Sequence, residues 1–267
     1  MNHPETHQIP SQTSDRQSVS SVPPSTLKSK AAIVTDNLCF SYPDKPEVLQ
    51  TVNLQVEAGD RLGIIGHNGC GKTTLFLLLC GVLTPTAGTI QLFGEPVIPG
   101  QFRSEIGLLF QDPDDQLFAA SVQDDIAFAP QNMGLSLEEI NQRVEQALSL
   151  TGMQHLADRP PHHLSGGEKQ MVAIAGLLAM RPQVMLYDEP TANLDLRTRR
   201  RLIQFLQQSQ KTLLIASHDL EFILEVCDRA VLMSEAQVVA TGTPQSIMGN
   251  AELMQTCGLE VPYSLRA

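Results

Sequence analysis

Residues 61–83 read RLGIIGHNGCGKTTLFLLLCGVL, and this stretch decides the fold. Its first part, RLGIIG, is a short apolar run that ends in glycine, which indicates a buried strand. Its last part, KTTLFLLLCGVL, predicts a helix that runs to residue 83. Between them, GHNGCGKT at 66–73 matches the pattern G-x-x-x-x-G-K-[ST]. A strand, a glycine-rich loop and a helix in this order predict a phosphate-binding loop.

The loop residues have the chemistry that a polyphosphate requires. Glycines let the backbone curl so that successive N–H groups point at phosphate oxygens. Lys72 is expected to reach the β- and γ-phosphates, and the Thr73 hydroxyl is expected to ligate Mg²⁺. The predicted nucleotide-contacting residues of this segment are Gly66, His67, Asn68, Gly69, Cys70, Gly71, Lys72, Thr73 and Thr74. A plain glycine turn with a solvated lysine is the alternative, and no G-x-G-x-x-G register lies within 63–74 to support a dinucleotide site.

A second motif, QVMLYDEP at 183–190, places two carboxylates after an apolar strand. In open α/β sheets the carboxyl ends of the strands face the ligand. Asp188 is therefore predicted to hold Mg²⁺ through its water shell, and Glu189 to act as general base on an attacking water. An isolated acidic pair after a strand is usually part of a solvated turn. Because this chain also has a phosphate loop, the catalytic interpretation is favoured.

Alternating patterns predict an α/β fold with a P-loop NTPase core. Residues 31–42 and 49–60 indicate antiparallel N-terminal strands, and 105–110, 183–188 and 212–217 indicate buried strands of a mostly parallel sheet. Residues 112–181 predict an inserted α-helical subdomain that carries the signature motif described below. The predicted organisation is a disordered tail at 1–30, a nucleotide-binding domain at 31–242 and a short helical extension at 243–267.

Composition restricts the possible partners. The formal net charge of −11 disfavours general nucleic-acid binding, which needs a basic surface. The basic run RTRRR at 197–201 is therefore interpreted as a solvated helix face. The five cysteines form no CxxC pair, so neither a zinc site nor a disulfide framework is expected. Residues 1–30 lack the apolar stretch of a signal peptide, and no apolar run approaches the ~20 residues that span a bilayer.

LSGGEKQ at 164–170, with the two motifs above, resembles the signature of ATP-binding cassette (ABC) ATPases. The resemblance implies ATP and Mg²⁺ as cofactors. It also implies an adenine-stacking role for Tyr42, a glutamine-loop role for Gln111 and a switch role for His218. The expected catalytic residues are Lys72, Gln111, Glu189 and His218, and the expected metal ligands are Thr73, Gln111 and Asp188.

The resemblance also implies that one chain cannot complete a site. In this family Ser165, Gly166 and Gly167 would contact a nucleotide bound to a partner subunit, and Asp195 resembles the D-loop aspartate at that interface. Two subunits would enclose two ATP molecules, as a homodimer or as a heterodimer with a related ATPase. A single chain is then expected to bind ATP and to hydrolyse it poorly.

The acidic stretch FQDPDDQLFAASVQDDIAFAP at 110–130 resembles the A component of energy-coupling factor transporters. This resemblance implies a transmembrane T component as partner, a separate substrate-binding membrane subunit, and a peripheral location at the cytoplasmic face of the membrane. Cobalt, nickel or a vitamin would be the cargo. The residues expected to contact the T component are Asp114, Asp115, Gln116, Leu117 and Phe118. A solvated acidic loop is the alternative.

Three residues raise separate questions. Met171 stands where the family usually has arginine, which puts a contact near the signature helix in doubt. Asn193 lies where small residues are more usual, which puts cross-dimer hydrogen bonds in doubt. Cys70 lies beside Lys72, so either its thiol has a lowered pKa and reacts with alkylators, or it is a passive small residue.

Two other functions remain open from sequence. A soluble ABC ATPase acting on DNA or ribosomes is one, although the chain holds a single cassette and no long coiled coil. A degenerate cassette that binds ATP without hydrolysing it is the other, and the presence of Glu189 and His218 argues against it.

Overall fold

A computed structural model describes Met1 and residues 31–192 and 194–266 of the chain. The predicted tail at 1–30, apart from Met1, lies outside the described residues, and so does Asn193. In chain order the described strands are β1 (Ala31–Tyr42), β2 (Lys45–Glu57), β3 (Arg61–Ile65), β4 (Ala87–Leu92), β5 (Glu95–Pro96), β6 (Ile106–Leu109), β7 (Val184–Asp188), β8 (Thr212–Ala216), β9 (Arg229–Ser234) and β10 (Gln237–Gly242). The described α-helices are α1 (Lys72–Leu79), α2 (Val122–Asn132), α3 (Leu137–Thr151), α4 (Gly166–Met180), α5 (Leu196–Gln208), α6 (Leu220–Val226), α7 (Pro244–Met248) and α8 (Ala251–Thr256).

The central sheet has six strands in the order β10-β9-β3-β8-β7-β6. Strands β9, β3, β8, β7 and β6 are parallel to one another, and β10 pairs with β9 in the antiparallel direction. The prediction of a mostly parallel sheet is confirmed. A second sheet, β2-β1-β4-β5, is antiparallel throughout, which confirms the predicted N-terminal strands.

The apolar runs of β7 and β8 are continuous because both faces of the sheet are covered. Side chains alternate between the faces of a strand, and Leu213 and Ile215 pack into one apolar cluster while Leu214 packs into another. The first cluster continues into α2, α3 and α4 through residues such as Ile126 and Val172. The inserted helices therefore share a core with one face of the central sheet.

Helix α1 is shorter than its apolar sequence predicts. It ends at Leu79 with Cys80 as its C-cap, and Gly81 follows in the left-handed region with φ +71°. Glycine adopts this conformation without the steric cost that other residues bear, so it ends helices. The apolar residues that follow Gly81 belong to a loop. Among the described residues, no helix is both long and apolar enough to cross a bilayer.

Candidate functional site

A cleft of about 310 Å³ opens at the carboxyl ends of the central strands. Parallel strands end at the same edge of a sheet, so motifs that are far apart in sequence meet there. The residues that line the cleft are Tyr42, Lys45, Val48, Asn68, Gly69, Gly71, Lys72, Thr73, Thr74, Gln111, Asp188, Glu189 and His218. The structure thus brings together most of the residues that the sequence predicts for one site.

The loop after β3 holds Lys72 in place. Gly71 has φ +105°, and a Cβ there would lie 2.7 Å from Leu49 Cδ2 and 2.8 Å from the Val48 carbonyl oxygen, so only glycine fits. Lys72 Nζ donates to the carbonyl oxygens of Gly66 at 2.9 Å and His67 at 3.2 Å. The ammonium is nearly buried and bonded to neutral acceptors in the described residues. An anionic oxygen would be a stronger acceptor for it.

Thr73 and Asp188 are joined across the cleft. The Thr73 hydroxyl donates to Asp188 Oδ2 at 2.6 Å. Burial raises the pKa of Asp188, although the bond from Thr73 acts in the opposite direction. A hydroxyl and a carboxylate, both hard oxygen ligands, are what Mg²⁺ prefers. The residues present therefore fit a magnesium ion.

Glu189 is buried and strongly held on one side. Its Oε2 accepts from Ser217 Oγ at 3.2 Å and from the backbone N–H of His218 at 3.1 Å, and it lies 2.7 Å from His218 Nδ1. A carboxylate only accepts, so Nδ1 carries the proton and Nε2 is left available. Glu189 also has φ +46°, a left-handed conformation that costs a non-glycine residue free energy. Such strain concentrates at functional sites.

Tyr42 and Gln111 line the cleft from two other elements. The Tyr42 ring packs edge-on against Phe40, with ring centroids 4.8 Å apart. Its hydroxyl lies 3.4 Å from Thr74 Oγ1, which ties the first hairpin to helix α1. Gln111 lies two residues beyond the end of β6, after Phe110. The aromatic ring and the amide therefore line the same cleft, while adenine stacking by Tyr42 and the glutamine-loop role of Gln111 as a metal ligand stay predictions.

Gly66, His67 and Cys70 do not line the cleft. Gly66 and His67 act through their carbonyl groups, which accept from Lys72. The Cys70 side chain is 3% exposed, and burial raises the pKa of its thiol even though Lys72 acts to lower it. Of the two interpretations of Cys70, its burial favours the passive small residue over a thiol with a lowered pKa, because desolvation outweighs the neighbouring charge.

Cys70 should consequently resist alkylation. We expect iodoacetamide at pH 8 to modify Cys70 at least about tenfold more slowly in the native protein than in urea, because a buried thiol with a raised pKa is rarely a thiolate. Mass spectrometry of tryptic peptides over time measures this rate, with the partly exposed Cys39 as internal control. Equal native rates at Cys70 and Cys39 would contradict the buried placement.

The signature residues and Asp195 also lie outside the cleft lining. Ser165 caps α4 in a reciprocal arrangement: its Oγ accepts from the Glu168 N–H at 3.4 Å, and the Ser165 N–H donates to Glu168 Oε2 at 2.8 Å. Asp195 caps α5, accepting from the Arg197 N–H at 2.8 Å. A Cβ on Gly167 would lie 3.2 Å from Thr198, so the starts of α4 and α5 adjoin. The structure does not join these residues to the cleft of their own chain.

A second concave surface, here called the helical groove, has a volume of about 270 Å³. The residues that line it are Phe110, Asp115, Gln116, Leu117, Phe118, Asp125, Phe128, Ala129, Val172, Ala173, Gly176, Leu177 and Met180. Phe118 is 66% exposed and Phe128 is 47% exposed, and their rings meet edge to face with centroids 4.8 Å apart. Two large apolar side chains in mutual contact at the surface are typical of an interaction site.

Asp114 is predicted to contact a partner together with residues 115–118, and that role stays a prediction. It does not line the helical groove, and its Oδ1 accepts from Lys169 Nζ at 2.5 Å. The sequence separates this pair by 55 residues, so no local pattern could show it. Asp125 and Phe128 are groove residues that the sequence analysis missed, and their i, i+3 spacing on α2 is the signal that places both on one helix face.

Comparison with known proteins places the chain in one family. The ABC transporter domain matches residues 49–192. A putative ABC transporter ATP-binding protein of Synechocystis is 61% identical over 88% of this chain and 83% of its own length. The energy-coupling factor transporter ATP-binding protein EcfA of Methanothermobacter thermautotrophicus is 43% identical over 85% of this chain and 75% of its own length.

Solved structures agree with the sequence relatives. The structure of cbiO1 from Clostridium perfringens, described as part of the ABC transporter complex cbiONQ, is 37% identical to this chain. It aligns with a TM-score of 0.75 over 85% of this chain and 94% of its own. With the phosphate loop, the carboxylate pair and the signature all present, the chain belongs to the ABC transporter family as an ATP-binding, ATPase subunit.

Proposed function

We propose that this chain is the ATP-hydrolysing subunit of an energy-coupling factor type importer, working at the cytoplasmic face of a membrane. The observation that carries the proposal is the course of residues 110–118. This one segment places Gln111 in the nucleotide cleft and Asp115, Leu117 and Phe118 in the helical groove. A partner bound in the groove therefore contacts the chain a few residues from the nucleotide. The cargo we favour is cobalt or nickel, with a vitamin as the alternative.

The cleft residues divide the work of hydrolysis. On ATP binding, Lys72 exchanges the carbonyl oxygens of Gly66 and His67 for the β- and γ-phosphate oxygens. Glu189 accepts a proton from the attacking water through Oε1, because its donors in the described residues all reach Oε2. His218 then directs Nε2 towards the γ-phosphate.

The proposed magnesium site includes Thr73 and Asp188, which are already hydrogen-bonded in the cleft. Thr73 and Gln111 would ligate Mg²⁺ directly, and Asp188 would hold it through a water. Bound there, Mg²⁺ supplies neutralising charge to the phosphates. The Thr73–Asp188 bond supports this assignment, because both oxygens already converge on one point at the end of β7.

A second subunit completes the nucleotide site in this proposal. Ser165, Gly166 and Gly167 begin α4, and the N-terminus of a long helix favours anions. They do not line the cleft of their own chain, so they are available to the nucleotide of another subunit. The partner is a second copy of this chain or a related ATPase.

The helical groove suits a transmembrane T component that presents arginine beside apolar side chains. Asp125 Oδ1 accepts from the backbone N–H groups of Phe118 and Ala119 at 3.0 Å each. Its Oδ2 is buried and has no hydrogen-bond partner among the described residues. A buried carboxylate oxygen without a donor is costly, and an incoming guanidinium would satisfy it. Phe118 and Phe128 would supply the apolar contact area.

A pull-down from detergent-solubilised membranes tests this assignment. We expect tagged wild-type chain to retain a small polytopic membrane protein and a substrate-binding membrane subunit. An Asp115→Lys/Phe118→Asp variant should lose at least about 90% of both, because it reverses a groove charge and removes an apolar anchor.

The matched control is Asp158→Lys, an equal charge reversal at an exposed residue outside the groove lining. It should retain both membrane proteins, and thermal melting confirms that each variant is folded. Unchanged capture by the groove variant would contradict the groove assignment. A wild-type chain that captures no membrane protein would contradict the importer function and favour a soluble ABC ATPase.

A further inference from the structure

The nucleotide cleft contains a second lysine that none of the recognised motifs includes. Lys45 begins β2 and is the register partner of Tyr42 in β1, across a two-residue turn at 43–44. Residues directly opposite each other in an antiparallel pair project from the same face. The side chains of Tyr42 and Lys45 accordingly share the cleft lining.

Lys45 reaches towards the phosphate loop. Its Nζ lies 3.9 Å from the position that a Cβ on Gly69 would occupy. Gly69, with φ +82°, is in the loop whose N–H groups are expected to face phosphate oxygens. The ammonium of Lys45 therefore lies near Gly69 of the phosphate loop, in the cleft that Tyr42 also lines.

Lys45 and Lys72 are in different electrostatic situations. Lys72 is nearly buried and bonded to two carbonyl groups, whereas Lys45 is exposed. Within residues 31–192 and 194–266, Lys45 has no ion-pair partner. Its charge is consequently not neutralised by a neighbouring carboxylate and is available to an anion.

The electrostatic surroundings indicate a role for the Lys45 ammonium. The chain carries a net charge of −11, and Asp188 and Glu189 add negative charge inside the cleft. A nucleoside polyphosphate approaching the cleft meets repulsion that local cations must offset. We propose that Lys45 is a nucleotide-binding residue whose ammonium contacts the phosphate chain of the bound nucleotide. The inference rests on nucleotide binding in this cleft.

Calorimetric titration with ATP, ADP and adenosine tests the proposal on the full chain. Lys45→Ala should weaken ATP and ADP binding roughly tenfold at low salt, because a charge-assisted hydrogen bond is lost. Adenosine binding should change less than about twofold, since it has no phosphate, and the loss for ATP should shrink with added salt. Lys45→Arg keeps the charge and should recover most of the affinity.

Lys211→Ala is the matched control, since Lys211 precedes β8 at the end of the strand away from His218. ATP affinity within twofold of wild type in Lys45→Ala would overturn the proposal. Equal weakening for ATP and adenosine would also overturn it, because Lys45 would then act on the base or the packing. An equal loss in Lys211→Ala would do the same by showing a general charge effect. Failure of the wild type to bind ATP is a different result, and it would overturn the nucleotide site itself.

Discussion

Replacing Glu189 by glutamine is expected to lower ATP turnover by at least about 100-fold, the usual scale for the loss of a general base. Glutamine keeps the shape of the side chain and still accepts hydrogen bonds from Ser217 and from the His218 backbone through its carbonyl oxygen. It cannot take a proton from water. ATP affinity should therefore stay within about threefold of wild type, and the ATP-bound dimer should persist because hydrolysis no longer separates it.

The measurement for Glu189→Gln is phosphate release at saturating ATP, together with light scattering to follow the dimer. Glu221→Gln is the matched control. Glu221 lies three residues beyond His218 but accepts from Ser264 instead of lining the cleft. Turnover in that control should stay near wild type. If Glu189→Gln turned over ATP as fast as the wild type, Glu189 would not be the general base. If the wild type itself showed no ATP turnover, the result would favour an ATP switch that does not hydrolyse.

Replacing Lys72 by alanine is expected to weaken ATP binding on the order of 100-fold, because hydrogen bonds to charged groups contribute about 1.5–3 kcal/mol. The amine bonds to carbonyl groups of its own loop, so the change removes little that packs the core. The melting temperature should therefore fall by no more than about 3 °C. Calorimetry gives the affinity and thermal melting gives the stability.

Lys72→Ala and Lys45→Ala together separate the two cations of the cleft. Lys72→Ala should reduce affinity more than Lys45→Ala does, since its site is nearly buried and less screened by water. ATP affinity close to wild type in Lys72→Ala would show that the loop does not hold polyphosphate, and the cleft would then need another ligand.

The parts of the fold predicted from sequence are those with strong local patterns. Strands β3, β7 and β8 are continuous apolar runs, and the phosphate loop carries a motif between a strand and a helix. The sequence analysis missed β9, although this strand is a buried run, and it missed the two-residue β5. It also missed β4 and β10, because β4 is mostly exposed and β10 alternates between exposed and half-buried residues. Hydrogen bonding of β4 to β1 and of β10 to β9 makes these segments strands, although their own sequences show no clear strand pattern.

The site residues also fall into those that the sequence predicts and those that only the folded structure shows. Motif residues such as Lys72, Asp188 and His218 were named from sequence and meet in one cleft, because parallel strands share an edge. The pairing of Asp114 with Lys169 and the burial of Cys70 depend on tertiary packing, which residue type and spacing do not encode. Lys45 was overlooked for a related reason, since its relation to Gly69 exists only in the folded hairpin.

We propose that a second ATPase subunit completes each nucleotide site, and mixing two inactive variants tests most directly whether that subunit is a second copy of this chain. Lys72→Ala disables the phosphate loop. Gly166→Asp adds a negative charge at the start of α4, where an acidic residue suits the helix but would repel the partner's nucleotide. Each variant alone should show almost no ATP turnover.

In a mixed dimer of these two variants, one site carries both changes and the other carries neither. Half of randomly formed dimers are mixed, so an equal mixture should recover up to roughly one quarter of wild-type phosphate release. A mixture that remains as inactive as its two components would contradict a site shared between copies of this chain.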